Sequence, residues 1–251
     1  MRRLRGLLIA DPAIVLGTLF FGTISLLTSF FDPSGRKQNV IARVWAKTAL
    51  WCSGVGLEVQ GLEHIDPAGS YVFIANHLSY MDTPVLLASV PVQFRFLAKS
   101  GLFKIPLLGT HLRSAGHIPV PREDPRAAVK TMQVAAETIQ QKQISLLIFP
   151  EGGRSRDGVL QQFKEGGAYI AIRAGVPVVP TVLIATHKVL PFGGGVVESG
   201  KVKLILLKPI STSGLTLKDR GALTETLREM IAATLLENGY QSLPQVTSSS
   251  R

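Results

Sequence analysis

From Ala13 to Phe31 the chain carries no charged side chain and is apolar at most positions. Asp11 followed by Pro12 reads as the N-cap and first residue of a helix. About twenty residues from Pro12, at ~1.5 Å each, reach roughly 30 Å, the thickness of a bilayer's hydrocarbon core. No small-x-small cleavage pattern interrupts the run before Asp32, so it reads as a retained membrane helix rather than a signal peptide. After the turn Asp32-Pro33-Ser34-Gly35, a second helical pattern places Val40, Ile41, Val44, Trp45, Thr48, Ala49 and Cys52 on one face, with Arg43 and Lys47 together on another. Both tryptophans of the chain, Trp45 and Trp51, fall in this segment, which suits a headgroup layer; an ordinary helix packed on a domain is the plainer alternative. Basic residues flank the first helix on both sides, so the charge bias gives no orientation, and a hairpin dipping into one leaflet fits as well as a full span.

Beyond about Leu57 the pattern changes to short apolar runs alternating with helical periodicity. Expected strands are Tyr71–Ala75, Phe94–Ala98, His117–Val120, Ile144–Phe149, Val178–Ala185 and Val202–Ile210; expected helices are Asp124–Lys142, Gly166–Ala174 and Lys218–Glu237. Such alternation over some 150 residues predicts an α/β domain with both sheet faces covered. The organisation expected is a membrane-associated two-helix segment at 1–57, an α/β domain at 58–240 and a polar, disordered tail at 241–251.

Composition narrows the function. The formal charge is +10 and 46% of residues are hydrophobic, a basic and greasy balance that points to an anionic membrane surface or anionic substrates. No zinc spacing, ribonucleoprotein aromatic motif or uninterrupted basic run favours nucleic acid. The single cysteine, Cys52, excludes an intrachain disulfide. The histidines His64, His111, His117 and His187 show no metal-ligand spacing and read as structural or surface. A Gly-x-Ser-x-Gly elbow of a serine hydrolase is absent.

The candidate chemistry sits at strand ends. Asn76-His77-Leu78-Ser79-Tyr80-Met81-Asp82 lies between a buried strand and a helix expected to begin near Thr83. On a regular helix positions i and i+5 lie about 140° apart. His77 and Asp82 can therefore meet as base and orienting carboxylate only if His77 lies on the turn before the helix. Ser79-x-x-Asp82 resembles a capping box with Ser79 at the N-cap, which would leave His77 on that turn. In a plainer reading Asp82 only caps the helix and His77 is satisfied within the turn. The run Ile144–Phe149 leads into Pro150-Glu151-Gly152-Gly153-Arg154-Ser155, where α/β folds place their ligand sites. Arg154 offers a planar fork for phosphate or carboxylate, and a solvated Glu151–Arg154 pair is the alternative. Gly116 to Arg122 is an extended, proline-stiffened stretch that delivers one arginine. Lys164, before a helix, and Lys99, at a strand end, are further cations that would favour an anion.

Together, Asn76-His77-x-Ser79-x-x-Asp82, Gly116-x-x-x-x-x-Arg122, Phe149-Pro150-Glu151-Gly152-x-Arg154-Ser155 and Val176-Pro177-x-Val179-Pro180 resemble the glycerolipid acyltransferase family. Within it the chain is similar to the bacterial-type 1-acyl-sn-glycerol-3-phosphate (lysophosphatidic acid) acyltransferases. The resemblance covers Tyr71 to about Ala185; Pro119 stands where the second motif usually has an aromatic residue, and Gly153 where the third usually has threonine. It implies a mixed sheet covered by helices. It also implies transfer of an acyl chain from acyl-CoA or acyl-carrier protein to the sn-2 hydroxyl of a lysophospholipid, with no metal or bound cofactor. His77 would be the base and Asp82 its partner. Arg122, Glu151 and Arg154 would hold the acceptor, with Gly152, Ser155, Lys99 and Lys164 adding to the substrate site. An oxyanion donor would come from amides near Gly152-Gly153 or at the start of the helix after Asp82. The setting implied is a bacterial inner membrane with anionic lipid, the catalytic domain on the cytoplasmic side. Two other readings stay open: a same-fold enzyme with another lysolipid acceptor, and a non-catalytic basic membrane adaptor.

Overall fold

The computed structural model describes residues 2–121 and 124–240. Seven strands form one sheet: β1 (Val55–Gln60), β2 (Val72–Ala75), β3 (Phe94–Lys99), β4 (Ile118–Val120), β5 (Ser145–Ile148), β6 (Val178–Ile184) and β7 (Gly200–Leu206). Their order is β1-β7-β6-β2-β5-β3-β4. All neighbours are parallel except β6 and β7, so the sheet is mixed. The central strands β2, β5 and β6 are buried at every position. Their continuous apolar runs follow from that, since both faces are covered. On one face Phe73, Leu147, Val179 and Leu183 pack with Val85, Leu86 and Phe94. On the other, Val72, Ile74, Leu146 and Ile148 pack with Ala136, Ile139, Ile170, Leu227 and Ile231.

The helices are α1 (Arg2–Arg5), α2 (Asp11–Ser29), α3 (Arg36–Ser53), α4 (Asp82–Ser89), α5 (Leu108–Ser114), α6 (Pro125–Lys142), α7 (Gly166–Ala174), α8 (Thr186–Val189) and α9 (Arg220–Glu237). Asp124 caps α6, accepting from the amides of Arg126 and Ala127. Helix α2 does not begin at an Asp11 cap. The chain runs from α1 through a π-helical stretch, Gly6–Ala10, straight into α2. Pro12, which has no N–H to give the preceding turn, stands two residues past the end of that stretch. The Asp11 carboxylate instead accepts from Val197 N at 3.1 Å, a partner 186 residues away. The segment Arg3–Ser29 is the one helix among the described residues long and apolar enough to cross a membrane, and hardly any of it is buried.

Helix α3 turns mainly small residues toward the domain. Ala42, Ala46, Ala49, Leu50 and Ser53 are buried, while Val40, Val44 and Trp51 point outward, Trp51 being 80% exposed. Small residues let α3 lie close against the domain, so its larger apolar side chains are left outside. Arg43 does not share a solvated face with Lys47: its guanidinium turns in to Val90 O and Val92 O, capping the end of α4. The hairpin is tied to the α/β unit through Ser25 Oγ to His111 Nδ1, 2.6 Å, and through Asn39 Nδ2 to Phe94 O, 3.4 Å.

Strand β1 was not expected, and it straddles residue 57, so the sheet begins earlier than the pattern change implied. The last strand ends at Leu206 rather than Ile210; Ile210 makes only an isolated antiparallel bridge to Val178. The expected disordered tail at 241–251 lies outside the described residues.

Candidate active site

Five adjacent parallel strands point their C-terminal ends the same way, and four of them lead to candidate segments. Strand β2 leads to His77, β5 to Glu151 and Arg154, β3 to Lys99, and β4 toward Arg122. Arg122 itself lies outside the described residues.

His77 occupies the turn before α4, as a meeting with Asp82 requires. His77 Nδ1 lies 2.7 Å from Asp82 Oδ2. The same oxygen accepts the amides of Leu78 at 2.7 Å and Ser79 at 2.9 Å. Three donors converge on one carboxylate oxygen, so Asp82 both shapes the turn and fixes the imidazole. Because Asp82 accepts at Nδ1, that nitrogen carries the proton and Nε2 is left with its lone pair. Asp82 is fully buried and the His77 side chain is 17% exposed. The imidazole lies flat on Phe149, with ring centroids 3.9 Å apart and planes 14° from parallel. Asp82 thus organises the turn and pairs with the histidine.

The capping box is only half formed. Ser79 N donates to Asp82, but helix α4 starts at Asp82 with Met81 in the cap position. The Ser79 hydroxyl accepts from Met81 N at 3.1 Å and donates to Leu190 O at 2.6 Å. That second bond ties the turn to the segment after β6. Asn76 does the same on the other side of His77: its side-chain amide exchanges two hydrogen bonds with Leu183 of β6, at 2.9 and 2.8 Å.

The loop after β5 clasps His77 by its main chain. Glu151 Oε1 accepts from His77 N at 2.7 Å, and Ser155 N donates to His77 O at 2.8 Å. Glu151 Oε2 accepts from Gln161 N at 2.9 Å. Glu151 does not pair with Arg154, and each of its oxygens accepts from a main-chain amide. Burial pushes its carboxyl up to about 7, against the pull of those two amides. Ser155 is buried, and its hydroxyl donates to Asp157 Oδ1 at 2.8 Å. Gly152 adopts φ +74°, and a Cβ there would lie 3.1 Å from Lys164 Nζ. Glycine is needed on both counts, since the backbone is left-handed and the lysine passes close by. Gly152 N donates to Phe149 O at 3.1 Å, which withdraws it from the oxyanion donors.

Arg154 is held by rings. Its guanidinium carbon lies 3.5 Å from the Tyr80 ring centroid and 4.9 Å from that of Phe192. Among the described residues it forms no ion pair. Lys99 ends β3 exposed, and Gly116 packs on the buried Arg95, its would-be Cβ 3.4 Å from Arg95 Nε, rather than on the site. The sequence reading missed Phe149 as the bed of the imidazole and Tyr80 and Phe192 as partners of Arg154. Phe149 and Tyr80 stand inside the quoted motifs, whereas nothing local marks Phe192.

Residues 56–184 match the family described as Acyltransferase. The chain is 35% identical over 217 residues to the chloroplastic 1-acyl-sn-glycerol-3-phosphate acyltransferase of Arabidopsis thaliana, covering 84% of this chain and 60% of that protein. It is 30% identical over 227 residues to the 1-acyl-sn-glycerol-3-phosphate acyltransferase of Saccharomyces cerevisiae, covering 89% of this chain and 75% of that one. Its fold is similar to that of the 1-acyl-sn-glycerophosphate acyltransferase PlsC of Thermotoga maritima, with a TM-score of 0.76 and 27% identity over 95% of this chain and 98% of that one. The chain spans 60–64% of the length of the plant relatives at the head of this comparison.

Proposed function

The chain belongs to the acyltransferase family of the 1-acyl-sn-glycerol-3-phosphate acyltransferases, and from that membership we propose that it acylates the sn-2 hydroxyl of lysophosphatidic acid to give phosphatidic acid. The observation that carries this reading is the pair His77 Nδ1 and Asp82 Oδ2 at 2.7 Å, sited at the ends of parallel strands. An alcohol is a poor nucleophile until a base takes its proton during attack. His77 Nε2, with its lone pair outward, accepts that proton as the hydroxyl oxygen attacks the thioester carbonyl. Asp82 stabilises the imidazolium so formed. Collapse of the tetrahedral intermediate breaks the carbon–sulfur bond, and the imidazolium returns the proton to the leaving thiolate. The protein itself forms no covalent bond to the acyl group.

Arg154 meets the acceptor's phosphate, with Lys164 beside Gly152 and Lys99 at the neighbouring strand end adding positive charge; Arg122 is assigned the same role from its motif. Glu151 and Ser155 serve the site through His77, whose main chain they hold on both sides. The donor is acyl-CoA or acyl-carrier protein, both water-soluble thioesters. The acceptor and product carry acyl chains, which suits a protein with one exposed apolar helix at Arg3–Ser29 and a basic surface that attracts anionic lipid. We assign it to a bacterial inner membrane, with the strand-end site on the cytoplasmic side where the thioesters are made.

The test is acyl transfer from acyl-CoA to lysophosphatidic acid by detergent-purified protein, beside His77→Ala. Phosphatidic acid should form and should fall by at least ~10³-fold in the variant. Substantial activity in His77→Ala overturns the base; inactivity of the unsubstituted protein on this acceptor, with activity on another lysolipid, overturns the acceptor.

A further inference from the structure

We propose that Tyr80 and Phe192 are positioning residues that bracket the Arg154 guanidinium and aim it at the acceptor's phosphate; this rests on the acyltransferase reading above. The Arg154 guanidinium carbon is 3.5 Å from the Tyr80 centroid and 4.9 Å from the Phe192 centroid, and Arg156 shares the Phe192 ring at 5.4 Å. Guanidinium stacks on aromatic faces because its charge is delocalised and weakly hydrated. Ring contacts engage the flat faces and leave the N–H groups in the plane free to donate. A carboxylate partner would instead take the fork and cancel the charge. The nearest acid in the motif, Glu151, is committed to the amides of His77 and Gln161.

One donor of the fork, Nη1, is buried and has no acceptor among the described residues. A guanidinium whose fork is not taken by a carboxylate is suited to the oxygens of a phosphate. Both rings are costly where they stand: Tyr80 is 59% exposed and Phe192 is 39% exposed. Neither belongs to the hydrophobic core, and the contact each makes with Arg154 accounts for its place.

The bracket is also tied to the base. Tyr80 sits three residues after His77 on the same turn. Phe192 follows Leu190, whose carbonyl takes the hydroxyl of Ser79 from that turn at 2.6 Å. Arg154 itself lies between Glu151 and Ser155, the two residues that hold the His77 main chain. The geometry thus sets the guanidinium in a fixed relation to His77, so that a phosphate on Arg154 brings its own glycerol hydroxyl to one place.

The experiment compares Tyr80→Phe, Tyr80→Leu and Phe192→Leu in steady-state transfer from acyl-CoA to lysophosphatidic acid, with melting temperature as a check on folding. Tyr80→Leu should raise KM for the acceptor ~10-fold, with kcat and the thioester KM within about twofold. Phe192→Leu should raise it ~3-fold, and Tyr80→Phe should stay near the unsubstituted protein because the ring is kept. In an Arg154→Gln background Tyr80→Leu should add nothing, since the group it positions has gone. An unchanged acceptor KM in Tyr80→Leu, or an equal loss in Tyr80→Phe, or an undiminished effect in the Arg154→Gln background, overturns the bracket. If the unsubstituted protein shows no transfer to lysophosphatidic acid, the acyltransferase reading fails instead. The same order of variants is then read from binding of lysophosphatidic acid by calorimetry, where equal affinities overturn the bracket independently.

Discussion

Replacing Asp82 by asparagine separates two jobs that one oxygen performs. Asp82 Oδ2 accepts from His77 Nδ1 and from the amides of Leu78 and Ser79. Only an acceptor fits at that point, because two main-chain N–H groups are fixed there. The asparagine oxygen will therefore take the place of Oδ2, its amide group will take the place of the unpartnered Oδ1, and the turn and the His77 tautomer will survive. What is lost is the negative charge facing the imidazolium. At an effective dielectric of about 20 and ~4 Å between charge centres, that attraction is ~4 kcal/mol. Converted to rate, this is about three decades, in keeping with the ~10³–10⁴ expected for disabling such a pair. Asp82→Ala should do something different, because it strands the amides of Leu78 and Ser79 in a buried turn at ~1–3 kcal/mol each. The assay is kcat for acyl transfer to lysophosphatidic acid together with the melting temperature. Asp82→Asn should lose ~10³ in kcat with a smaller fall in melting temperature than Asp82→Ala, which should lose both kcat and the turn. An asparagine variant that keeps more than about a tenth of kcat would refute the charge argument.

Two further outcomes follow from burial and exposure. Glu151 is pushed up to about 7 from its ordinary 4.5 by burial, so between those values the folded chain holds a proton that the unfolded chain lacks, and stability falls as pH rises through this window. His117 is held down to about 3 from 6.5, by burial first and then by the charges of His111 and Arg95, so stability falls as pH drops below 6.5. From about pH 4.5 to 6.5 the two slopes oppose each other at ~1.4 kcal/mol per unit each. Glu151→Gln should therefore uncover a loss of ~1.4 kcal/mol per unit on acidification, read by denaturant titration in detergent; identical slopes in both proteins would count against it. At the membrane, Leu16 and Phe20 are 65% and 62% exposed, one helical turn apart on α2. Leu16→Asp with Phe20→Asp should cost ~5–7 kcal/mol of insertion and move the protein from the carbonate-washed membrane pellet to the supernatant, whereas retention in the pellet would show that another surface holds it.

What the sequence made legible follows from how local each signal is. β2, β5 and β6 are unbroken apolar runs because both faces of each strand are covered, so composition alone marks them. β1, Val-Gly-Leu-Glu-Val-Gln, lies at the sheet's edge with every second residue open to solvent, and its glycine and glutamate blur the pattern. Its strand identity comes from pairing with β7, some 145 residues on, which no window of sequence contains. Helix α3 shows the same limit. Its larger apolar residues Val40 and Val44 stay exposed while the domain takes Ala42 and Ala46, because close approach favours small side chains. Asp11 looked like a cap by its neighbours, and a backbone amide at Val197 claimed it instead.

The site shows the same division at finer grain. The order of His77 and Asp82, and the charged loop after β5, could be read because each depends on residues a few positions apart. The roles of the residues around them could not, since side-chain type says what a group can bond but not which partner reaches it. Glu151 and Ser155 looked fit for substrate, and Asn76 and Ser79 stood in the motif as polar support. In the fold all four are committed to the protein itself: to the main chain of His77, of β6 at Leu183, and of Leu190. Three loops that leave the sheet at different strands are thereby bonded to one another around a single imidazole. A base that must meet a hydroxyl to within a few tenths of an ångström needs its backbone held as firmly as its ring. Much of the motif's polarity is spent on that, and the proposed reaction draws on the groups left unspent, His77 Nε2 and Arg154.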